Sequence, residues 1–155
     1  MKRSTLIKKA WLAVVLLGLG CLGLLPRPAQ AEPLYFALEV RRDGRVVAQP
    51  KLLGETGRTL RAERRKPGAR QPDYRLVLTP TSQDGQFRLE LDLELPEIQG
   101  HSAVSLPHGQ ERLVQLGHRQ GELEVSLLLM KVDSPEFRAL MDVSAASEGG
   151  TGRAI

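Results

Sequence analysis

The stretch FRLELDLEL, residues 87–95, alternates without a break. Phe87, Leu89, Leu91, Leu93 and Leu95 fall on every second position, with Arg88, Glu90, Asp92 and Glu94 between them. A period of two puts all five apolar side chains on one face of a β-strand, whereas a helix would scatter them around its axis. Leu and Glu favour helices by intrinsic propensity, but a burial pattern this regular overrides it.

The neighbouring segments carry the same signature. Upstream, Gln83-Asp84-Gly85-Gln86 reads as a turn, and Tyr74, Leu76 and Leu78 form a strand closed by Thr79-Pro80. Earlier still, LYFALEVR at 34–41 is a strand, Asp43-Gly44 a tight turn, and 45–48 a short return strand. Pro50, Gly54 and Gly57 read as punctuation, and residues 58–63 as a strand with Leu60 and Ala62 on one face. Residues 64–72 read as a polar loop. Downstream, Pro96 and Gly100 end the leucine strand; short strands follow at 104–106 and 112–116. ELEVSLLLMKV, 122–132, turns apolar on both faces from Leu127, which predicts a strand covered on its second face. Ser134-Pro135-Glu136 is a helix start, with serine as N-cap and proline at the first helical position, good for about two turns. Residues 143–155 read as a disordered tail. About eight short strands with one short C-terminal helix predict an all-β chain, an antiparallel β-sandwich or partly open barrel.

The amino terminus has another character. Lys2, Arg3, Lys8 and Lys9 precede sixteen uncharged residues, 10–25, and Ala29-Gln30-Ala31 is an A-x-A cleavage signal. This is the layout of a cleavable signal peptide, residues 1–31, followed by one β domain over 32–142. An uncleaved anchor is the alternative, with membrane contact through the leader only; lipidation at Cys21 is disfavoured by Gly18-Leu19-Gly20 before it. Export follows, to the periplasm or the exterior. Cleavage removes the only cysteine, so no disulfide, thiol nucleophile or cysteine-based zinc site is expected.

Charge changes meaning with the leader removed. The chain is +4 overall, but the leader holds five basic residues and no acid, leaving 17 basic against 18 acidic, or −1. Nucleic-acid binding therefore lacks its electrostatic footprint, and aromatics at 4% are too few for a base-stacking platform. The distribution is uneven: residues 41–75 carry +7 and residues 76–155 carry −6. Arg58, Arg61, Arg64, Arg65, Lys66 and Arg70 form the densest basic patch. Either this strand lies beside the acidic strand at 88–94 and the charges cancel across the ladder, or the loop offers a cationic surface to an acidic partner.

Leu76, Leu78, Thr79 and Pro80, then Asp84-Gly85, then Leu89 and Leu91, then Val104, Leu106, Gly109 and Gln110 make a strand–turn series. Over residues 75–117 that series resembles the core β-domain of the outer-membrane secretins. The resemblance implies an envelope protein with a secretin-like β-fold, linked to a secretion system. It does not extend to a pore: secretins are much longer, and these strands lack a lipid-facing apolar band with aromatic girdles. Leu116-Gly117-His118 also has one glycine where secretins usually carry a pair.

No complete catalytic set is present. Gly100-His101-Ser102-Ala103-Val104 lacks the last glycine of a nucleophile elbow and the helix that should follow. His101, His108 and His118 have no metal-ligand spacing, and Glu90, Asp92 and Glu94 form a row on one strand rather than a pair across a cleft. Neither metal nor cofactor is expected. The reading is thus a non-catalytic binding or accessory module of the cell envelope, whose partner is an envelope protein or an acidic surface. Two alternatives stand beside it: a hydrolase built on His101, Ser102 and His108, and a structural subunit assembling through Leu128, Met130 and Val132.

Overall fold

The computed structural model describes residues 30–149; the expected signal peptide falls, but for its last two residues, outside them, as do residues 150–155 of the expected tail. The sandwich expectation holds: among the described residues nine antiparallel strands form two sheets, followed by one helix. The first sheet contains β1 (Pro33–Arg42), β2 (Arg45–Ala48), β3 (Lys51–Glu55), β8 (Glu111–Gln115) and β9 (Leu123–Lys131). Its order is β2-β1-β9-β8, with β3 also on β1, beside the amino-terminal half of that strand. The second is a meander, β4 (Leu60–Arg64), β5 (Tyr74–Gln83), β6 (Gln86–Leu95) and β7 (Ile98–Leu106).

The core is the sum of the alternating faces. In β6 every apolar residue from Phe87 to Leu95 is buried and every intervening one exposed. Facing it across the sandwich are Leu34, Phe36, Leu38 and Val40 of β1 and Leu123, Val125, Leu127 and Leu129 of β9. Each fully buried leucine or phenylalanine contributes about 1.5–3 kcal/mol of transfer free energy.

Turn chemistry sets the registers. Asp43-Gly44 (φ 49° and 74°) and Asp84-Gly85 (φ 50° and 77°) have both central residues left-handed, the type I′ turns whose twist matches paired strands. The Asp84-Gly85 turn sets Gln83 opposite Gln86, which places Leu76 against Leu93 and Leu78 against Leu91. Pro96-Glu97 is a third two-residue turn, with proline first and φ 72° at Glu97, the signature of type II.

Four expectations need correction. Residues 51–55 form β3 rather than punctuation; Gly54 is not a breaker, since a Cβ there would lie 2.3 Å from Leu60 Cδ2. Thr79-Pro80 does not close β5, which runs on to Gln83. Proline is tolerated because Pro80 turns its nitrogen toward the side where β4 has ended; its carbonyl accepts the Gly57 N–H there at 2.7 Å. Gly100 lies inside β7, opposite Leu93, where a Cβ would fall 2.6 Å from Leu116 Cβ. The helix α1 (Pro135–Gly149) runs well past two turns and takes in residues 143–149, expected as tail; Val143-Ser144-Ala145-Ala146 contains no breaker. Its N-cap is as expected, with Phe137 N–H donating to Ser134 Oγ at 3.1 Å.

The second face of β9 is partly covered. Phe137 of α1 packs on Tyr35 with ring centroids 5.2 Å apart, and Tyr35 pairs with Met130. Leu128, Met130 and Val132 are half-buried.

Candidate functional site

The basic patch runs from the turn before β4, along β4, and into the loop that follows it. Its cations do not neutralise the acidic strand directly, because β5 lies between β4 and β6. Arg75 of β5 bridges the two instead, at 3.2 Å from Glu63 and 3.1 Å from Glu94. The expected direct ladder between residues 58–65 and 88–94 is therefore absent. Hydrogen bonds from Arg75 and then Arg65 hold the Glu63 carboxyl below its ordinary pKa.

The six basic residues find local partners or none. Arg58 Nε lies 3.3 Å from Glu55, Arg65 Nη2 2.8 Å from Glu63, Arg64 Nε 3.3 Å from Asp73, and Lys66 Nζ 3.9 Å from Asp73. Arg61 and Arg70 have no ion pair or hydrogen bond among the described residues. Three carboxylates thus pair with four of the six cations.

Only three of the six converge. Arg64, Arg65 and Lys66 line an open cleft of about 720 Å³ between the ends of the two sheets. Pro67, Asp73, Leu95 and Pro96 share that wall, and Arg42 and Val47 supply the opposite one from the first sheet. Arg61 lies on the outer face of the second sheet, Arg58 at the turn before β4, and Arg70 on the loop. Arg42 is the member that sequence reading missed. It is distant in the chain, and only the β1–β2 hairpin carries it to the cleft. The available signal was Arg41-Arg42 immediately before the Asp43-Gly44 turn.

The cleft is held by two reciprocal clasps. Arg42 Nη1, from the first sheet, donates to the Pro96 carbonyl of the second at 3.0 Å. Arg64 Nη2, from the second, donates to the Val47 carbonyl of the first at 3.1 Å. Arg64 also sits 5.5 Å above the Tyr74 ring. These bonds orient two guanidinium groups, while Arg65 and Lys66 extend from the rim with their side chains 45% and 78% exposed. Such a site can offer charge-assisted bonds to a carboxylate or phosphate and apolar contact from Val47, Pro67 and Pro96.

A second depression, about 440 Å³, lies on the outer face of the second sheet beside Arg75, Asp92, Glu94 and His101. There Arg75 joins Glu94, and His101 Nδ1 lies 2.6 Å from Asp92 Oδ1.

The hydrolase constellation does not assemble. His101 and Ser102 are consecutive in β7 and point to opposite faces. His108 is committed elsewhere: its Nδ1 accepts the Lys131 N–H at 3.0 Å, which leaves Nε2 to donate to Glu136 at 3.3 Å. His118 lies in the loop before β9, where its N–H donates to Glu122 at 3.0 Å. Among the described residues no three histidine, cysteine or carboxylate groups are placed to hold a metal ion. Also among them, no helix is long and apolar enough to cross a membrane. No protein-family model, curated protein or solved structure matches this chain.

Proposed function

We propose that the protein is an exported, non-catalytic binding module of the cell envelope whose cationic cleft holds an acidic segment of a partner protein. The single observation carrying this reading is the convergence of Arg64, Arg65 and Lys66 with Arg42 around one open cleft. Two of these cations are pre-oriented by backbone carbonyls of the opposite sheet, which lowers the entropy lost when a carboxylate docks. The leader supports export, and the resemblance of residues 75–117 to secretins supports an accessory role beside a secretion system.

Exposed ion pairs contribute little each, about 0.2–1 kcal/mol, so the cleft acts through several charges at once. Binding of this kind is salt-sensitive, because screening sets in beyond about 8 Å at physiological ionic strength. The test is titration of the purified protein with a fluorescent polyglutamate peptide, with and without Arg65→Ser/Lys66→Ser. We expect saturable binding that weakens with salt and is lost in the double variant while the melting temperature stays put. Binding that ignores the substitutions overturns the reading. Arg64 is left intact in this test because its bond to Val47 gives it a structural share.

A further inference from the structure

Every sheet edge presents a row of unpaired N–H and C=O groups, and proteins usually guard such rows with charge, proline or brevity. Three edges here are guarded. β4 carries Arg61, Glu63 and Arg64 in five residues; β8 carries Glu111 and Arg112 in five; β2 and β3 are short and bear Arg45, Lys51 and Glu55. β7 is different. Its nine residues, IQGHSAVSL, contain no lysine, arginine, aspartate, glutamate or proline.

The hairpin register shows which of its groups are open. Leu95 faces Ile98 across a two-residue turn, so even-numbered residues of β7 bond to β6 and odd-numbered ones face outward. Ser105 confirms the parity: its carbonyl accepts Arg112 Nη1 at 2.6 Å from the neighbouring sheet. That leaves Gln99, His101 and Ala103, whose N–H and C=O have no partner among the described residues. The three are symmetric about His101.

We propose that β7 pairs antiparallel with β7 of a second copy of this chain, His101 on the two-fold axis and Gln99 opposite Ala103 of the partner subunit. The contact joins two four-stranded sheets into one of eight, through about six backbone hydrogen bonds. A two-fold contact sets a patch against itself, so a charge at its axis would oppose its own copy. Among the described edges β7 is the one that carries no such charge, and pairing also covers the half-exposed Ile98 and Val104. The proposal is independent of the cleft, which lies at β4 and the end of β6.

The test is sedimentation equilibrium of the full chain across roughly a hundredfold range of concentration. Two variants separate pairing from folding. Ala103→Pro removes an N–H that faces away from β6. Gln99→Lys/Ala103→Lys sets lysine against lysine twice at the two-fold, yet within one chain it faces Glu94 and Glu90, its cross-strand partners in β6. We expect the wild type to reach twice the chain mass, and each variant to weaken dimerisation by about tenfold or more with its circular dichroism unchanged. A wild type that stays monomeric throughout overturns the proposal. So does a dimer that both folded variants leave intact.

Discussion

Replacing Gly100 by alanine adds one methyl group where β7 runs against the backbone of Leu116. The new Cβ would stand 2.6 Å from Leu116 Cβ and 2.9 Å from the Leu116 carbonyl oxygen. Carbon atoms in contact prefer about 3.5–4.0 Å, so β7 and the end of β8 must separate by roughly 1 Å. Neither atom met is the tip of a flexible side chain, so the backbone has to move. Overpacking of this kind costs about 1–3 kcal/mol, and the smaller unfolded-state entropy of alanine returns about 0.4–1. The net loss is about 1–2 kcal/mol, or roughly 3–10 °C in melting temperature for a domain of this size. Gly54→Ala is the matched control: the atoms nearest its Cβ would all belong to the Leu60 side chain, which can turn aside without moving the backbone. Urea unfolding followed by circular dichroism should give a lower midpoint for Gly100→Ala than for Gly54→Ala at equal slope. If Gly100→Ala is as stable as the wild type, the close approach of β7 to Leu116 is wrong, and with it the closure of that edge of the sandwich.

Glu97→Gly should raise the melting temperature: a non-glycine residue at φ 72° costs about 1–2 kcal/mol against about 0.5–1 for the entropy glycine loses, and the Arg42 Nη2–Glu97 contact removed with it, 3.6 Å long with Glu97 86% exposed, contributes little. Ser134→Ala should cost about 1 kcal/mol and reduce hydrogen-exchange protection in α1 before the sheets, because it removes the N-cap bond to Phe137. Stability should fall as pH drops below about 4.5. Glu63, held down by hydrogen bonds from Arg75 and Arg65, and Glu136, held down first by its own backbone N–H and then by His108, bind fewer protons folded than unfolded. Their contribution is present above the unfolded pKa and lost as pH passes down through the folded one. Glu63→Gln should flatten that acid limb in a pH series of urea midpoints.

Much of this architecture is written in local chemistry. The type I′ turns at Asp43-Gly44 and Asp84-Gly85 and the alternation of β6 are visible because each depends on adjacent residues. The features that escaped depend on distant ones. Gly54 and Gly100 look like breakers until Leu60 and Leu116 arrive against them from elsewhere in the chain. Pro80 reads as a stop until β4 is known to end beside it. Of the cleft, Arg64, Arg65 and Lys66 were legible as a run of charge. Arg42 was not, since its position follows from how the two sheets stack, which no local pattern encodes.

The central claim, that the cleft is the partner-binding surface, is tested most directly by site-specific photo-cross-linking in the protein's own cells. A photoreactive residue is placed at Pro67, an uncharged position on the cleft wall, and in a separate strain at Thr81, near the far end of β5. The account expects the Pro67 position to capture an envelope protein through an acidic segment, identified by mass spectrometry, with capture suppressed by high salt and absent at Thr81. Equal capture at both positions, or capture at neither, contradicts it.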